Sequence, residues 1–312
     1  MLASELALGC VIPHKWRSPF LRPLPARYNR AMPIQLIAMD IDGTLLDSRA
    51  QLPPLNAQAI AEAASRGIEI VIVTGRRFHS ARLIAEELPC DAKLIVSNGA
   101  LVKSLSGETH FRSLLEAETA RQVLRATEEF RSMSAVVFDR AVEAQVVLER
   151  IDWEGPIIGP YLRRHRHHVT EIAPLTDCLN GEDPVEVMFI GKCEAIRAAM
   201  SRLDQLGGFR ADYTLALTEY ANNGFSMLDV LAPGVTKGAA LAAWAARRGI
   251  PRENVMAIGD NWNDREMLEY AGLPVVMDNG VAELKALGWT ITRSNDECGV
   301  AEAIYRHALR NA

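Results

Sequence analysis

The sequence predicts an α/β fold, a Rossmann-like parallel sheet core with helices on both faces, interrupted by an inserted α+β domain. Three observations point to it. Continuous apolar runs at Ile34–Met39, Ile68–Val73, Lys93–Val96 and Val255–Ile258 alternate with helical stretches, as buried strands of a parallel sheet do. Between residues 104 and 232 the strands become short and partly alternating, as in a sheet with one solvated face. Beyond 233 the first rhythm returns. The expected organisation is a core of 33–103 and 233–312, an insert of 104–232, and an N-terminal extension of 1–32.

Taken in order, Ile34–Met39 reads as a buried strand. Leu55–Ser65 is Ala-rich and helical, closed by Gly67. Ile68–Val73 is a second strand, ending in Thr74-Gly75-Arg76. Phe78–Leu88 is a helix stopped by Pro89, and Lys93–Val96 a third strand ending in Ser97-Asn98-Gly99. In the insert, Ala117–Phe130 and Ala195–Leu206 read as helices. Ala135–Phe138, Gln145–Leu148, Val185–Ile190, Tyr213–Thr218 and Phe225–Val230 read as strands, and the Gly- and Pro-bearing stretch 151–184 as irregular. Lys237–Arg247 is a helix, Val255–Ile258 a strand ending in Gly259-Asp260-Asn261-Trp262-Asn263-Asp264, and Glu266–Tyr270 a short helix. Strands at Leu273–Met277 and Thr290–Ile291 and a helix at Glu297–Leu309 complete the chain.

Composition narrows the function classes. The 312 residues are 49% hydrophobic, enough for substantial cores, and the net charge of −5 with no basic stripe does not imply nucleic acid. The five cysteines (Cys10, Cys90, Cys178, Cys193, Cys298) are scattered and never spaced CxxC. That argues against a disulfide framework or zinc site and for a reducing, cytoplasmic setting. No apolar run approaches the roughly 18 residues of a membrane span. Residues 1–32 carry Lys15, Arg17, Arg22, Arg27 and Arg30 against Glu5 alone, with four prolines. Their basic residues follow the apolar stretch, the reverse of a signal peptide, so a disordered tail or an early start with Met32 as the natural one is expected.

The chemistry gathers at strand ends. Asp40 and Asp42 follow an apolar strand at i and i+2. Successive strand side chains point to opposite faces, so the two carboxylates converge only if the chain turns there, which Gly43 permits. Two acids so placed repel unless a cation or shared proton relieves them, a signature of a Mg²⁺ and phosphate site. Thr74-Gly75, Lys237 and Asp260 to Asp264 also end strands or start a helix, and ligands of open α/β sheets sit outside the carboxyl ends of the strands. A carboxylate can attack phosphorus, a second can protonate the leaving oxygen, and a hydroxyl, backbone N–H groups and a lysine can hold the phosphoryl oxygens.

These residues resemble, motif by motif, the haloacid dehalogenase superfamily phosphatases of the Cof-type subgroup, whose cap domain is inserted after the second motif. The four motifs are Asp40-Ile41-Asp42-Gly43-Thr44-Leu45, Ile70-Val71-Ile72-Val73-Thr74-Gly75-Arg76, Gly234-Val235-Thr236-Lys237-Gly238 and Gly259-Asp260-Asn261-Trp262-Asn263-Asp264. The resemblance covers 33–312 and is vague inside the insert. It implies a Mg²⁺-dependent phosphomonoesterase acting on a small phosphorylated molecule through an aspartyl phosphate, with neither nucleic acid nor membrane as partner. Asp40 is then nucleophile and metal ligand, and Asp42 is acid/base and gives its carbonyl to Mg²⁺. Ile41 N–H, Thr74, Gly75 N–H, Lys237 and Asn263 hold the phosphoryl group. Asp260 binds the metal, and Asp264 orients Lys237 or the metal's waters.

Other readings attach to several of these residues. Thr74 and Asp264 can serve as helix caps, and Asn98 can be a plain turn residue. Arg76, Asn98 and Asn222-Asn223-Gly224 are candidates to face the substrate. The run Arg163–His168 is expected to be solvated surface, and Cys178 and Cys193 packing residues. The rival functions are a phosphotransferase or mutase and a non-catalytic phosphate-binding regulator. The 32-residue step from Asp42 to Thr74 leaves no room for a helical cap and favours the phosphatases. A sugar phosphate is the first expected substrate, and a flavin or pyridoxal phosphate the second.

Overall fold

The computed structural model describes residues 33–309 apart from 157, 206–210 and 221–223. The extension 1–32 with Cys10, together with Leu206, Asn222 and Asn223, lies outside the described residues.

The first part of the core comprises β1 (Leu36–Met39), α1 (Pro54–Ser65), β2 (Glu69–Val73), α2 (Phe78–Ala85), β3 (Lys93–Val96), β4 (Leu101–Lys103) and β5 (Thr109–Arg112). The insert holds α3 (Ala117–Ala126), β6 (Ser134–Val137), β7 (Val146–Leu148), α4 (Gly159–Arg164), β8 (Val169–Glu171), β9 (Glu186–Lys192), α5 (Cys193–Gln205), β10 (Thr214–Tyr220) and β11 (Phe225–Leu231). The chain returns through α6 (Lys237–Arg247), β12 (Val255–Gly259), α7 (Arg265–Tyr270), β13 (Leu273–Val276), α8 (Ala282–Lys285), β14 (Thr290–Ile291) and α9 (Gly299–Ala303).

The core sheet runs β14-β13-β12-β1-β2-β3-β4-β5. Its first six strands pair in parallel and the last two antiparallel. Strand β1 explains why the predicted run is continuous. Leu36 and Ala38 go to the face covered by α6 and α7, through Leu241, Trp244 and Met267. Ile37 and Met39 go to the face covered by α1, α2 and α9, through Ile60, Ala81 and Val300. Both faces are dry, so every position is apolar.

The insert forms a second sheet, ordered β10-β11-β9-β6-β7-β8. One face packs Val136, Val187, Phe189, Leu228 and Val230 on α3 and α5. The other carries Glu186, Met188 and Ile190 on β9 and Phe225, Met227 and Asp229 on β11, in antiparallel register with Met188 opposite Asp229. That face is turned toward the carboxyl ends of the core strands, where its residues line a shared cavity.

Candidate active site

The loop after β1 sets the geometry. Asp40 ends the strand, its N–H donating to the Ile258 carbonyl at 3.1 Å. The chain then coils through a wide turn closed by Leu45 N–H to Asp40 O (3.2 Å) and Leu46 N–H to Ile41 O (3.0 Å). Gly43 sits at φ +80° in this turn, where a Cβ would lie 2.4 Å from Asp260 Oδ2. The expected chain turn is therefore present, and only glycine lets the two acidic loops approach so closely. Beyond the turn, Thr44 donates to Asp260 Oδ1 at 2.8 Å.

Three other strand ends meet it. After β2, Thr74 is buried, donates its N–H to Ile95 O, and accepts the Arg76 N–H on its hydroxyl at 3.1 Å. After β3, Asn98 adopts a left-handed φ of +51°. Lys237 opens α6 just after Thr236, whose hydroxyl caps the helix by accepting the Ala239 N–H. The helix directs Lys237 inward, where its ammonium donates to Asp40 Oδ1 and Asp264 Oδ1, both at 2.6 Å. Asp264 Oδ2 accepts the N–H groups of Asp260 and Asn261 at 2.9 and 3.0 Å. Asp264 thus clamps both the loop after β12 and the lysine.

Asp40, Asp260 and Asp264 each offer an oxygen within 4.8 Å of the others. The set is buried and all-oxygen, which suits a hard divalent cation such as Mg²⁺. Asp264 accepts hydrogen bonds on both oxygens and Asp40 and Asp260 on one each, and all three carboxylates are placed to hold an ion. Burial, opposed by Lys237 and reinforced by Asp264 and Asp42, pushes Asp40 up to about 7. Asp260 is raised well above its usual range, again by burial first and then by Asp264 and Asp40. A bound cation would relieve this strain.

The Asp42 carboxylate points elsewhere. Arg76 grips it through Nε to Oδ2 at 2.7 Å and a terminal nitrogen to Oδ1 at 2.6 Å. Asn263 donates to Asn98 Oδ1 at 2.9 Å, and Asn98 donates onward to Asp229 Oδ2 at 2.8 Å. Asp40, Asp42, Thr74, Gly75, Arg76 and Asn263 line one cavity of about 470 Å³ between core and insert. Asn98 stands behind Asn263, and Ile41 starts the loop with its side chain in the core.

The sequence reading missed the roof and one wall of this cavity. Glu186 and Asp229 are each 2% exposed, and Glu186 Oε2 and Asp229 Oδ1 have no hydrogen-bond partner. Burial above all pushes Asp229 up to about 7, and burial with Asp229 alongside raises Glu186. An acid on the apolar face of an alternating strand was the available signal. In the run Arg163–His168, Arg163, Arg164, Arg166 and His167 are exposed, as expected of solvated surface, whereas His165 is buried and His168 half-buried, and Arg164, His165 and His168 border the cavity. Cys178 is buried, as expected of a packing residue, and burial raises its thiol to about 11.

Residues 37–304 match the family model of the haloacid dehalogenase-like hydrolases. Among curated relatives, the 5-amino-6-(5-phospho-D-ribitylamino)uracil phosphatase YcsE of Bacillus subtilis is 31% identical, over 88% of this chain and 95% of that protein. The pyridoxal phosphate phosphatase YbhA of Escherichia coli is 28% identical, over 89% of this chain and all of that protein. The chloroplastic endoribonuclease YBEY of Arabidopsis thaliana is 30% identical over 88% of this chain, which spans only 46% of that relative's length. A crystal structure of a haloacid dehalogenase-like hydrolase from Bacteroides thetaiotaomicron superposes with a TM-score of 0.70 at 25% identity, covering 88% of this chain and 99% of that one.

Proposed function

The chain belongs to the haloacid dehalogenase-like hydrolases, and on that premise we propose that it hydrolyses a small phosphate ester through a phosphoryl group held covalently on Asp40. The observation that carries this reading is the meeting of Asp40, Lys237, Asp260 and Asp264 at the ends of β1 and β12, with Asp42 two residues beyond the nucleophile.

In the first step an Asp40 oxygen attacks phosphorus and the ester oxygen leaves, taking a proton from the Asp42 carboxyl. Lys237, Thr74, the backbone N–H groups of Ile41 and Gly75, and Asn263 stabilise the charge on the phosphoryl oxygens. In the second step the Asp42 carboxylate takes a proton from water. The resulting hydroxide attacks phosphorus, releasing inorganic phosphate and restoring Asp40. Asp40 and Asp260, with the Asp42 carbonyl, are the groups that would hold Mg²⁺. When bound, that ion supplies positive charge against the nucleophile and the phosphoryl oxygens. Asp264 acts through Lys237 and the backbone it clamps.

The cavity bears on the substrate. Leu83, Ile84, Ile158, Met188, Ile190 and Met227 line it, and the rings of Tyr220 and Phe225 stack at 4.7 Å on its edge. An apolar lining suits a ring-bearing body better than a bare sugar, so the cofactor-type phosphate is our first choice and the sugar phosphate our second. The names of YbhA and YcsE carry ring-bearing phosphates too. Among the described residues no helix is long and apolar enough to cross a membrane, and a cytoplasmic setting stays part of the proposal.

The test is phosphate release from a panel of ring, sugar and nucleotide monophosphates with Mg²⁺. We expect turnover that Asp40→Asn abolishes. A panel without turnover, or equal turnover by Asp40→Asn, refutes the reading. Product analysis with an alcohol acceptor separates hydrolysis from transfer.

A further inference from the structure

We propose that Glu186 and Asp229 form a hydrogen-bond-accepting site in the insert's wall of the cavity, one that receives the body of the substrate. The leaving group of the reaction proposed above would then carry N–H or O–H donors beyond its ester oxygen. This rests on the phosphatase reading and narrows it to esters of amino or hydroxy compounds.

The two acids share one face of the second sheet. In the antiparallel register of β9 and β11, Glu186 stands opposite Leu231 and Asp229 opposite Met188. Asp229 is therefore a diagonal neighbour of Glu186, and both side chains lie on the face that borders the cavity. Met188, Ile190, Phe225 and Met227 make up the rest of that face on these two strands. Packing alone would fill the two remaining positions with apolar side chains as well, since a buried acid is costly unless its oxygens are hydrogen-bonded.

One oxygen of each acid remains open. Asp229 Oδ2 accepts from Asn98 at 2.8 Å, whereas Asp229 Oδ1 and Glu186 Oε2 are buried and accept no hydrogen bond among the described residues. Both carboxyls are raised by burial before any other cause, Asp229 to about 7. Asp229 adds to the rise in Glu186 and Arg77 opposes it, while the Asn98 hydrogen bond and then Lys237 oppose the rise in Asp229. Neither open oxygen receives a hydrogen from these neighbours. A donor supplied by a ligand would satisfy both oxygens and bring the carboxyls down again, because hydrogen bonds to a carboxylate favour its ionised form.

The site is tied to the reaction centre. Asn263 donates to Asn98 at 2.9 Å, and Asn98 donates to Asp229. Asp229 thus lies two hydrogen bonds from a group that holds the phosphoryl oxygens in the proposed mechanism, and a ligand donor reaching it sits only a few atoms from the ester oxygen. On β9 and β11 the two acids are the polar groups that the cavity meets. Their apolar neighbours leave little water to compete for the open oxygens. A site built to bond an N–H or O–H rejects an analogue that lacks it, because its own polar groups are then left unpaired.

The experiment compares alkyl phosphates of several chain lengths bearing an ω-hydroxyl or ω-amino group with their ω-methoxy counterparts, which accept hydrogen bonds but donate none. At pH 8 we expect kcat/KM for the best donor-bearing ester to exceed that of its methoxy match by about tenfold or more. Glu186→Gln and Asp229→Asn each keep one oxygen and put an N–H₂ donor in place of the other. The ratio, taken within each protein, should therefore fall toward unity in both. An amine outperforming the hydroxyl assigns a nitrogen-bearing leaving group, and the reverse order assigns a hydroxylated one. A wild-type ratio near unity, or a preference that survives both substitutions, overturns the proposal. If no ester is hydrolysed, the phosphatase reading fails. Calorimetric binding of the same matched esters then decides the acceptor site separately, and a binding ratio near unity overturns it.

Discussion

Lys237 carries its charge at 1% exposure, 2.6 Å from both Asp40 and Asp264. Removing one partner of such a group leaves the others as uncompensated buried charges, which typically costs about 3–5 kcal/mol. Lys237→Met should therefore lose about that much stability in urea unfolding with EDTA present, and Mg²⁺ should restore part of it by binding the freed carboxylates. Arg76 has a different task. It touches Asp42 through two hydrogen bonds and so, on the proposed reading, positions the acid. Arg76→Ala should lower kcat by about 10–100-fold, with Arg76→Lys recovering some of it and the fold unchanged by circular dichroism. Asp229 lends itself to a pH test. Its carboxyl rises from an ordinary 3.8 to about 7, by burial first, against the Asn98 hydrogen bond. The folded chain thus keeps a proton that the unfolded chain releases near pH 4. The stability this contributes is full below that pH and is lost as pH rises through 7. Asp229→Asn should raise Tm relative to the parent at pH 8 and have little effect near pH 3.5. Equal effects at both values would contradict the assignment. Asp40, Thr74 and Asp260 were legible in the sequence because each follows an apolar strand, and Lys237 because it opens a helix after Gly234-Val235-Thr236, whereas Glu186 and Asp229 were not, because a lone acid in a strand normally marks the solvated face.

At the scale of elements, the loop after β1 depends on a glycine with two constraints at once, a φ of +80° and no space for a Cβ beside Asp260. Gly43→Ala should cost about 1–2 kcal/mol in backbone strain and push the Asp260 carboxylate aside. Calorimetry should then show Mg²⁺ affinity reduced by about tenfold or more. The core strands were legible because burial on both faces leaves an unbroken apolar run. Three features of the insert region were harder. β5 lies within 104–232, where the insert was expected, yet it pairs with β4 at the edge of the core sheet. Its sequence, Thr-His-Phe-Arg, is largely exposed and carries no core signal. α4 and β8 are short and set among Gly and Pro residues, so neither shows a period. The helix expected over 117–130 ends at Ala126, where the Thr127 hydroxyl donates back to the Val123 carbonyl at 2.7 Å and the chain tightens into a narrower turn.

For the molecule as a whole, the proposed function rests on bringing one open sheet face onto the rim of another sheet. On that reading the insert must stay seated for its acids and apolar side chains to enclose a substrate bound at the core, and seating would exclude water from the reaction. Two contacts that seat it lie at the site itself, Asn98 to Asp229 and Asn261 to the Glu219 carbonyl. A third stands apart from the cavity. Lys103 at the end of β4 donates to Asp139 just beyond β6 at 2.7 Å, with the lysine side chain 9% exposed and the aspartate 23%. A half-buried pair of this kind is worth about 1 kcal/mol, enough for about a fivefold shift between seated and unseated insert. Lys103→Met touches neither the acids nor the cavity lining, so a purely local role predicts unchanged kinetics. A seating role predicts a several-fold fall in kcat/KM, a larger radius of gyration by X-ray scattering without ligand, and recovery of the compact form when a tight-binding phosphate analogue is added.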